Sequence, residues 1–191
     1  MPVLMQRFSI AVLLAALALP ALAAPVAESE RVPIDLRRTT LVVRDMNATL
    51  AFYRDALGLR VVYDNIIRTP RSATSDSEAE RSLRLVFLQA NDDYVGIIGV
   101  IEYLKPRKPE PAQPTVPFGI GSVVFVINAT DLNATFARAR AVAGVKVLEE
   151  PGETSYPSYD GKGTIPVRVS TLQDPDGYVV ELNQLLVDKP R

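Results

Sequence analysis

An internal repeat constrains the fold of this chain more than any other feature of its sequence. Residues 45–61 align with residues 131–147, and eight of the seventeen aligned positions are identical. The first copy begins Asp-Met-Asn-Ala-Thr-Leu-Ala, and the second begins Asp-Leu-Asn-Ala-Thr-Phe-Ala. Because similarity at a fixed period marks a duplicated structural unit, we expect two copies of one module in tandem.

Both copies carry the pattern of an amphipathic helix, with apolar residues spaced three or four apart on one face. These residues are Met46, Leu50, Tyr53 and Leu57 in the first copy and Leu132, Phe136, Ala139 and Ala143 in the second. An Asp stands at the start of each helix, where it can cap free backbone amides. Gly58 and Gly144 follow at equivalent positions, and glycine commonly ends a helix.

One β-rich run precedes each predicted helix, and three follow it. In the first copy these runs are Thr39–Val43, Arg60–Tyr63, Leu83–Gln89 and Tyr94–Tyr103. In the second copy they are Ser122–Ile127, Val145–Leu148, Ile165–Leu172 and Tyr178–Leu186. Each half therefore predicts a βαβββ module, and the whole predicts an α+β fold. Two polar stretches, Ile67–Arg81 and Glu149–Thr164, are predicted to be long loops, which in compact domains are usually functional or mobile.

The predicted domain spans residues 38–188 and divides into three parts. Module one covers residues 38–104, a linker covers 105–118, and module two covers 119–188. The linker holds five prolines in the thirteen residues from Lys105 to Pro117, which favours an extended, stiff segment. Residues 24–37 mix prolines with charged and small residues, so we expect a flexible leader ahead of the domain.

The first 23 residues are typical of a secretory signal peptide. The apolar run Phe8–Leu19 is interrupted only by Ser9, and Ala21-Leu22-Ala23 matches a small-x-small cleavage site. An uncleaved membrane anchor is the alternative, but the run is shorter than the ~20 residues that cross a bilayer. We expect cleavage after Ala23, a periplasmic or secreted protein, and no membrane association once the signal is removed.

Two residue types are missing from the chain, and their absence limits its chemistry. The sequence contains no histidine and no cysteine, so disulfides, thiolate nucleophiles and imidazole ligands are excluded. Arg7 is the one charged residue among residues 1–23. Without this segment, the 21 basic residues of the chain fall to 20, against 22 acidic residues. A net charge of −2 and the lack of a basic stripe indicate a small-molecule partner rather than a nucleic acid.

Two segments resemble signatures of a known family. Residues 45–59, which include Phe52-Tyr53-Arg54 and Leu57-Gly58, resemble the motif that follows the first strand in the vicinal oxygen chelate (VOC) superfamily. This superfamily groups glyoxalases, bleomycin resistance proteins and dioxygenases. Gln173–Leu182, with Asp174-Pro175-Asp176-Gly177, resembles its closing motif. The resemblance implies a glyoxalase-like fold, in which two βαβββ modules form a curled mixed sheet around a cup. Asp174–Gly177 itself has the residues of a hairpin turn.

The resemblance also implies where a metal-dependent member would place its four ligands, on the first and last strands of the modules. The first position falls on Arg38 and the fourth on Glu181. The third falls on Ser122, or on Val124 if the internal repeat is followed. The second falls on Val100 or Glu102. Since Arg38 would repel a divalent ion and Ser122 is a poor substitute for imidazole, we expect the metal site to be lost.

An ion pair between Arg38 and Glu181 across the cup, with Glu102 nearby, is expected to replace the metal. It has two interpretations. Arg38 could merely neutralise a carboxylate that would otherwise be costly to bury. Alternatively, Arg38 could bind a carboxylate or oxyanion of a ligand, in which case the ligand-binding set is Arg38, Ser122, Val100 and Glu181.

Three functional hypotheses follow from these features. The first is an exported protein that binds a small organic molecule in its cup without a metal or other cofactor. The second is an enzyme, a lyase or isomerase or a glyoxalase- or dioxygenase-like protein, in which Glu181 or Glu102 is the catalytic base, with or without a divalent metal. The third is an interaction domain that forms a homodimer and fills its cup with side chains.

Overall fold

The computed structural model describes residues 27–109, 119–158 and 161–187, and it contains two modules with the same order of elements. Module one comprises β1 (Arg38–Val43), α1 (Met46–Leu50) with a π-helical continuation (Ala51–Ala56), β2 (Arg60–Thr69), β3 (Arg81–Gln89) and β4 (Ile97–Lys105). Module two comprises β5 (Val124–Asn128), α2 (Leu132–Arg140), β6 (Lys146–Pro157), β7 (Thr164–Gln173) and β8 (Val179–Leu185). The predicted βαβββ duplication is confirmed. The predicted signal peptide and most of the linker lie outside the described residues.

Each module forms its own four-stranded mixed sheet with the same topology. The strand order is β1-β4-β3-β2 in sheet one and β5-β8-β7-β6 in sheet two. The first and last strands of each module pair in parallel, and the other neighbours are antiparallel. The helix between the first two strands therefore packs on one face of each sheet. The sheets are not closed into a barrel.

The first helix changes its winding partway along. After the α-helical turn Met46–Leu50, the chain continues with π-type bonds, in which the Leu57 amide donates to the Phe52 carbonyl at 3.0 Å. The neighbouring residues Phe52 and Tyr53 lie in this segment, and both are fully buried with their rings edge to face.

The hydrophobic core joins the two modules. It is one cluster of buried side chains from both helices and from the helix-facing sides of both sheets, such as Leu41, Val86, Leu132 and Leu182. The helical segments also contact each other directly, because Arg138 of α2 donates to the carbonyl of Ala56 at 2.9 Å. Gly58 and Gly144 end the two helical segments with φ angles of 86° and 87°, as expected for equivalent positions.

The turn between β7 and β8 connects module two to module one through hydrogen bonds. The predicted hairpin turn is present, with the Gly177 amide donating to the Asp174 carbonyl at 3.0 Å. The buried Asp174 carboxyl accepts a hydrogen bond from the Tyr53 hydroxyl at 3.0 Å. Next to it, Asp176 accepts from the backbone amide and the guanidinium of Arg44, at 3.0 and 2.9 Å. The Tyr178 hydroxyl binds the backbone of Val42 on the free edge of β1.

Several strands begin or end away from their predicted limits. β2 extends to Thr69 and β6 to Pro157, so the connections that follow them are shorter than predicted. The last strand of module one begins at Ile97 rather than Tyr94. There the Asp92 carboxylate accepts from the amides of Tyr94 and Val95, both at 2.8 Å, and forms a turn. Across the described ranges, no helix is long and apolar enough to cross a membrane.

Candidate functional site

Each sheet leaves one face uncovered by helices, and we call these the open faces of sheets one and two. Side chains alternate between the two faces of a strand, and residues paired across strands share a face. Because Leu41, Val43 and Val100 pack in the core, their neighbours Arg38, Thr40, Val42 and Gly99 lie on the open face of sheet one. The same reasoning places Val124, Val126 and Glu181 on the open face of sheet two.

The open face of sheet one is mostly apolar and carries no acidic side chain. Its strand residues include Arg38, Thr40, Val42, Ile97, Gly99, Ile101, Tyr103, Arg81, Leu83, Leu85, Phe87, Tyr63, Asn65, Ile67 and Thr69. The rings of Tyr63 and Phe87 are stacked, with centroids 4.9 Å apart and planes inclined by 25°. This face therefore offers an apolar, partly aromatic surface next to the cationic side chain of Arg38.

Arg38 lies across β4 and stacks on this aromatic surface. Its guanidinium carbon is 4.2 Å from the centroid of the Phe87 ring. Gly99 makes this path possible, since a Cβ there would lie 3.0 Å from Cδ of Arg38 and 2.7 Å from the Thr40 hydroxyl oxygen. Among the described residues, Arg38 has no carboxylate partner, and its side chain is exposed. The guanidinium is thus held in place with its hydrogen-bond donors free for a ligand.

Val100 and Glu102 lie on the other face, so neither occupies the second ligand position. Val100 is fully buried in the core. Glu102 accepts a hydrogen bond from the Met46 amide at 3.1 Å and so caps the first turn of α1. Gln184 makes the matching bond to the Leu132 amide in module two, at 2.9 Å. A catalytic role for Glu102 in the cup has no geometric support, because the carboxylate is buried at a helix N-terminus.

The register of the strands identifies the inherited ligand positions. Arg38 pairs with Ile97 in module one, and Val124 pairs with Val179 in module two. Two residues further along each last strand stand Gly99 and Glu181, which are therefore equivalent. The third position accordingly falls on Val124, as the internal repeat suggested. Ser122 precedes β5, is exposed, and accepts a hydrogen bond from the Gly119 amide at 3.0 Å, so it belongs to a turn rather than to the open face.

Glu181 is held by neighbours within its own module. Its carboxylate accepts hydrogen bonds from the Asn183 side-chain amide at 2.7 Å and from the Tyr156 hydroxyl at 3.3 Å. Burial, followed by the negative charge of Glu181, raises the pKa of Tyr156. Tyr156 lies near the end of β6, whereas Glu181 pairs with Thr171 in the middle of sheet two. Their contact shows that sheet two curls strongly toward its open face.

The expected ion pair between Arg38 and Glu181 is not formed. Within the described ranges, Arg38 stacks on Phe87 and Glu181 contacts Tyr156 and Asn183, with no bridge between them. The sequence-based prediction overlooked Gly99, which lets the arginine lie over its own sheet instead of reaching toward module two.

The family can now be assigned from comparison with known proteins. Residues 35–182 match the model of the Glyoxalase/Bleomycin resistance protein/Dioxygenase superfamily. The chain belongs to this superfamily. No curated protein matches the sequence.

Several solved structures are similar to this chain at low sequence identity. A glyoxalase-family protein from Bacillus cereus is 12% identical, with 84% of this chain and all of that chain covered and a TM-score of 0.62. TnmS3, an antibiotic-binding protein from Streptomyces sp. CB03234, is 17% identical over 81% of this chain and 99% of its own, with a TM-score of 0.48. The trypanothione-dependent glyoxalase I of Leishmania major is 18% identical over 79% and 86%, with a TM-score of 0.49.

A metal of the kind bound by many superfamily members does not fit the residues of this chain. The four inherited positions hold a cation, a glycine, an aliphatic side chain and one carboxylate: Arg38, Gly99, Val124 and Glu181. Divalent metal sites need several neutral or anionic donor atoms, and an adjacent guanidinium repels the ion. Within the described part of the chain, no group of three or more acidic side chains is placed to hold a metal either.

We expect purified protein to contain far less than one equivalent of zinc, iron or nickel per chain. Elemental analysis by inductively coupled plasma mass spectrometry, after dialysis without chelator, measures this directly. Glu181→Ala is the matched variant, since Glu181 is the one carboxylate at the four positions. Stoichiometric metal that disappears in Glu181→Ala would show that a metal site persists in this member of the superfamily.

Proposed function

We propose that this protein binds a small, flat organic anion on the open face of sheet one, without a metal. The placement of Arg38 is the observation that carries the proposal. An arginine with no carboxylate partner among the described residues lies on an aromatic ring, over a mostly apolar sheet face whose strands carry no acidic side chain there. A planar guanidinium can bind a carboxylate through two parallel hydrogen bonds while its face stays stacked.

The surroundings of Arg38 favour a ligand with an aromatic or conjugated body. Tyr63 and Phe87 are stacked on each other, so the edges of their rings form an aromatic surface beside the guanidinium. Ile101 and Leu85, in the next row of the sheet, continue that surface with aliphatic side chains. Pockets with apolar walls and a few oriented polar groups are the usual form of small-molecule sites.

The same proposal places the protein outside the cytoplasm, because the apolar run Phe8–Leu19 and the cleavage pattern at Ala23 favour export. A role in binding rather than catalysis is preferred on the geometry of the two candidate bases. Glu102 is committed to the N-terminus of α1, and Glu181 is hydrogen-bonded within module two. In the described part of the chain neither carboxylate is in contact with Arg38, so neither candidate base stands beside the cation that would bind the ligand.

Arg38→Met should weaken binding of naphthoate, used as a probe, by roughly ten- to a hundredfold in isothermal titration calorimetry. That range corresponds to a lost hydrogen bond to a charged group, worth about 1.5–3 kcal/mol. Arg38→Lys should recover part of the affinity, because the charge remains but the planar pair of donors is lost. Naphthamide, which has the same rings and no charge, should bind wild type weakly and lose little in either variant.

Arg37→Met is the matched control for these titrations. Arg37 is the adjacent residue, and its guanidinium stacks on Tyr94 at 4.8 Å instead of on Phe87. Its removal should leave naphthoate affinity unchanged.

Arg38→Met should lower the free energy of unfolding by less than about 1 kcal/mol, the scale of an exposed cation–π contact. Equal affinity of wild type and Arg38→Met for naphthoate would contradict the proposed function.

A further inference from the structure

The open face of sheet two has two carboxylates in one row of its strands, and we call Glu149, Thr171 and Glu181 the acidic row. Glu149 of β6 pairs with Thr171 of β7, and Thr171 pairs with Glu181 of β8. Residues paired across strands share a face, so the three side chains lie on the same side of the sheet. Neighbouring strands are roughly 4.8 Å apart, so the two glutamate backbones are about 10 Å apart. Glutamate side chains at this separation can contact one ligand between them.

The glutamates of the acidic row have no cation partner, unlike a neighbour on the same strand. Glu153 of β6 forms an ion pair with Arg168 at 2.5 Å. Within the described ranges, no lysine or arginine forms such a pair with either glutamate of the acidic row. Lys146 is also on the open face, in the neighbouring row opposite Gln173 of β7. The described strand residues of this face therefore include two acidic side chains and one basic one, which favours a cation.

The hydrogen-bond donors around the acidic row are directed at its carboxylates, whereas acceptors remain. The Thr171 hydroxyl donates to Glu149 at 3.4 Å. Glu181 accepts from the Tyr156 hydroxyl at 3.3 Å and from the Asn183 amide at 2.7 Å. Asn183 lies on the same face and is 6% exposed, and its carbonyl oxygen has no partner in the described part of the chain. Buried acceptors are normally satisfied, so this group of side chains lacks a donor.

Tyr156 adds an aromatic ring at the same place. Burial, the charge and hydrogen bond of Glu181, and then the charge of Glu149 raise the pKa of Tyr156. Both carboxylates thus act on one hydroxyl, so they lie together around it. The side chain of Tyr156 remains partly exposed, which leaves its ring open to a ligand. Aromatic rings and carboxylates both attract organic cations.

The equivalent row of sheet one has the opposite character. Gly99 corresponds to Glu181, and its strand neighbours in the same row are Phe87 and Tyr63. Arg38 stacks on this row through Phe87. The duplication has therefore diverged into one cationic, aromatic face and one acidic face, and a ligand group of a single charge does not suit both.

We propose that the acidic row binds the ammonium group of a small organic amine. The two carboxylates accept hydrogen bonds from the ammonium, and the ring of Tyr156 lies beside it. An ammonium has three donors and no acceptor, which matches a group of side chains with acceptors to spare. Val126, which pairs with Glu181 in the same row and is exposed, contacts the hydrocarbon part of the amine. Binding here does not use Arg38.

Titration of the folded protein with phenethylamine, followed by NMR at the backbone amides of Thr171 and Glu181, tests this site. Phenethyl alcohol, with the same ring and no charge, is the ligand control. We expect saturable shifts with phenethylamine and an affinity at least tenfold weaker for the alcohol. Glu149→Gln and Glu181→Gln should each weaken phenethylamine about five- to tenfold, because a hydrogen bond to a charged group is lost. Tyr156→Leu should weaken it several-fold, because the ring is lost.

Glu153→Gln is the matched control, since Glu153 is on the same strand but on the helix-facing side and is paired with Arg168. It should leave phenethylamine affinity unchanged. Arg38→Met should also leave it unchanged, and Glu149→Gln should not weaken naphthoate, so this site and the proposed function fail or succeed separately. Three results would each overturn the proposal: equal affinity for phenethylamine and phenethyl alcohol, equal losses in Glu149→Gln and Glu153→Gln, or shifts with calcium chloride but not with phenethylamine.

Discussion

Asp174→Ala is expected to lower the free energy of unfolding by about 3–5 kcal/mol, the range for breaking a buried hydrogen-bond network. The Asp174 carboxyl is 2% exposed and accepts three hydrogen bonds. They come from the Tyr53 hydroxyl at 3.0 Å, the Asp176 amide at 2.9 Å and the Tyr178 amide at 2.8 Å. Alanine would leave all three donors without this acceptor, the Tyr53 hydroxyl in the core and the two amides in the half-buried turn. Denaturant unfolding at pH 7 measures the loss.

Asp55→Ala is the matched control for this substitution. Asp55 is also an aspartate bonded to a neighbour, Arg54, but the pair is on the surface. Exposed pairs of this kind contribute about 0–1 kcal/mol, so the control should stay close to wild type. Tyr53→Phe removes the donor of one of the three hydrogen bonds. It should lower the free energy of unfolding by less than Asp174→Ala does. A loss in Asp174→Ala no larger than in Asp55→Ala would show that the turn does not hold the modules together.

Asp174 should also make stability depend on pH in the direction opposite to most carboxylates. Burial raises the pKa of Asp174 to about 6 from its usual 3.8, against the lowering effect of the bonds from Tyr178 and Tyr53. The folded state thus holds this proton more tightly than the unfolded chain. Its contribution to stability is complete below pH 3.8 and is lost as pH rises through about 6. Between pH 4 and pH 7 this amounts to about 2–3 kcal/mol.

Comparison with Asp174→Asn isolates this contribution from all other titrating groups. Asparagine keeps an oxygen for the Asp176 and Tyr178 amides, and its NH₂ group can donate to the Tyr53 oxygen. Relative to this variant, wild type should gain about 2–3 kcal/mol of stability when the pH falls from 7 to 4. Urea unfolding of both proteins at several pH values gives the difference. A difference that stays constant across this range would mean that the Asp174 pKa is not raised.

The fold could be predicted because the signals that define it repeat. The helical spacing from Met46 to Leu57 recurs at Leu132 to Ala143, and both helices were found. The lengths of β2 and β6 could not be predicted. The outer part of β6, which ends at Pro157, is mostly polar, exposed and paired with a neighbouring strand. A strand held mainly by backbone hydrogen bonds leaves no alternation of apolar residues in the sequence.

The candidate site was predictable only in part, since its residues depend on register. Arg38 and Glu181 were identified on the first and last strands, and both lie on open faces. Glu102 was misplaced because a shift of one residue along a strand moves a side chain to the opposite face. Gly99 has no side chain, so no motif pointed to it, yet it decides the direction of Arg38.

The bond between Tyr53 and Asp174 spans 121 residues of sequence, and this separation affects how the protein is made. Module one cannot complete its core from its own residues, because the Tyr53 hydroxyl is bound by a turn that is synthesised 121 residues later. Contacts between such distant residues form late, after the entropic cost of closing a long loop has been met. A nascent chain therefore completes this part of the core only after the turn at Asp174 has emerged from the ribosome.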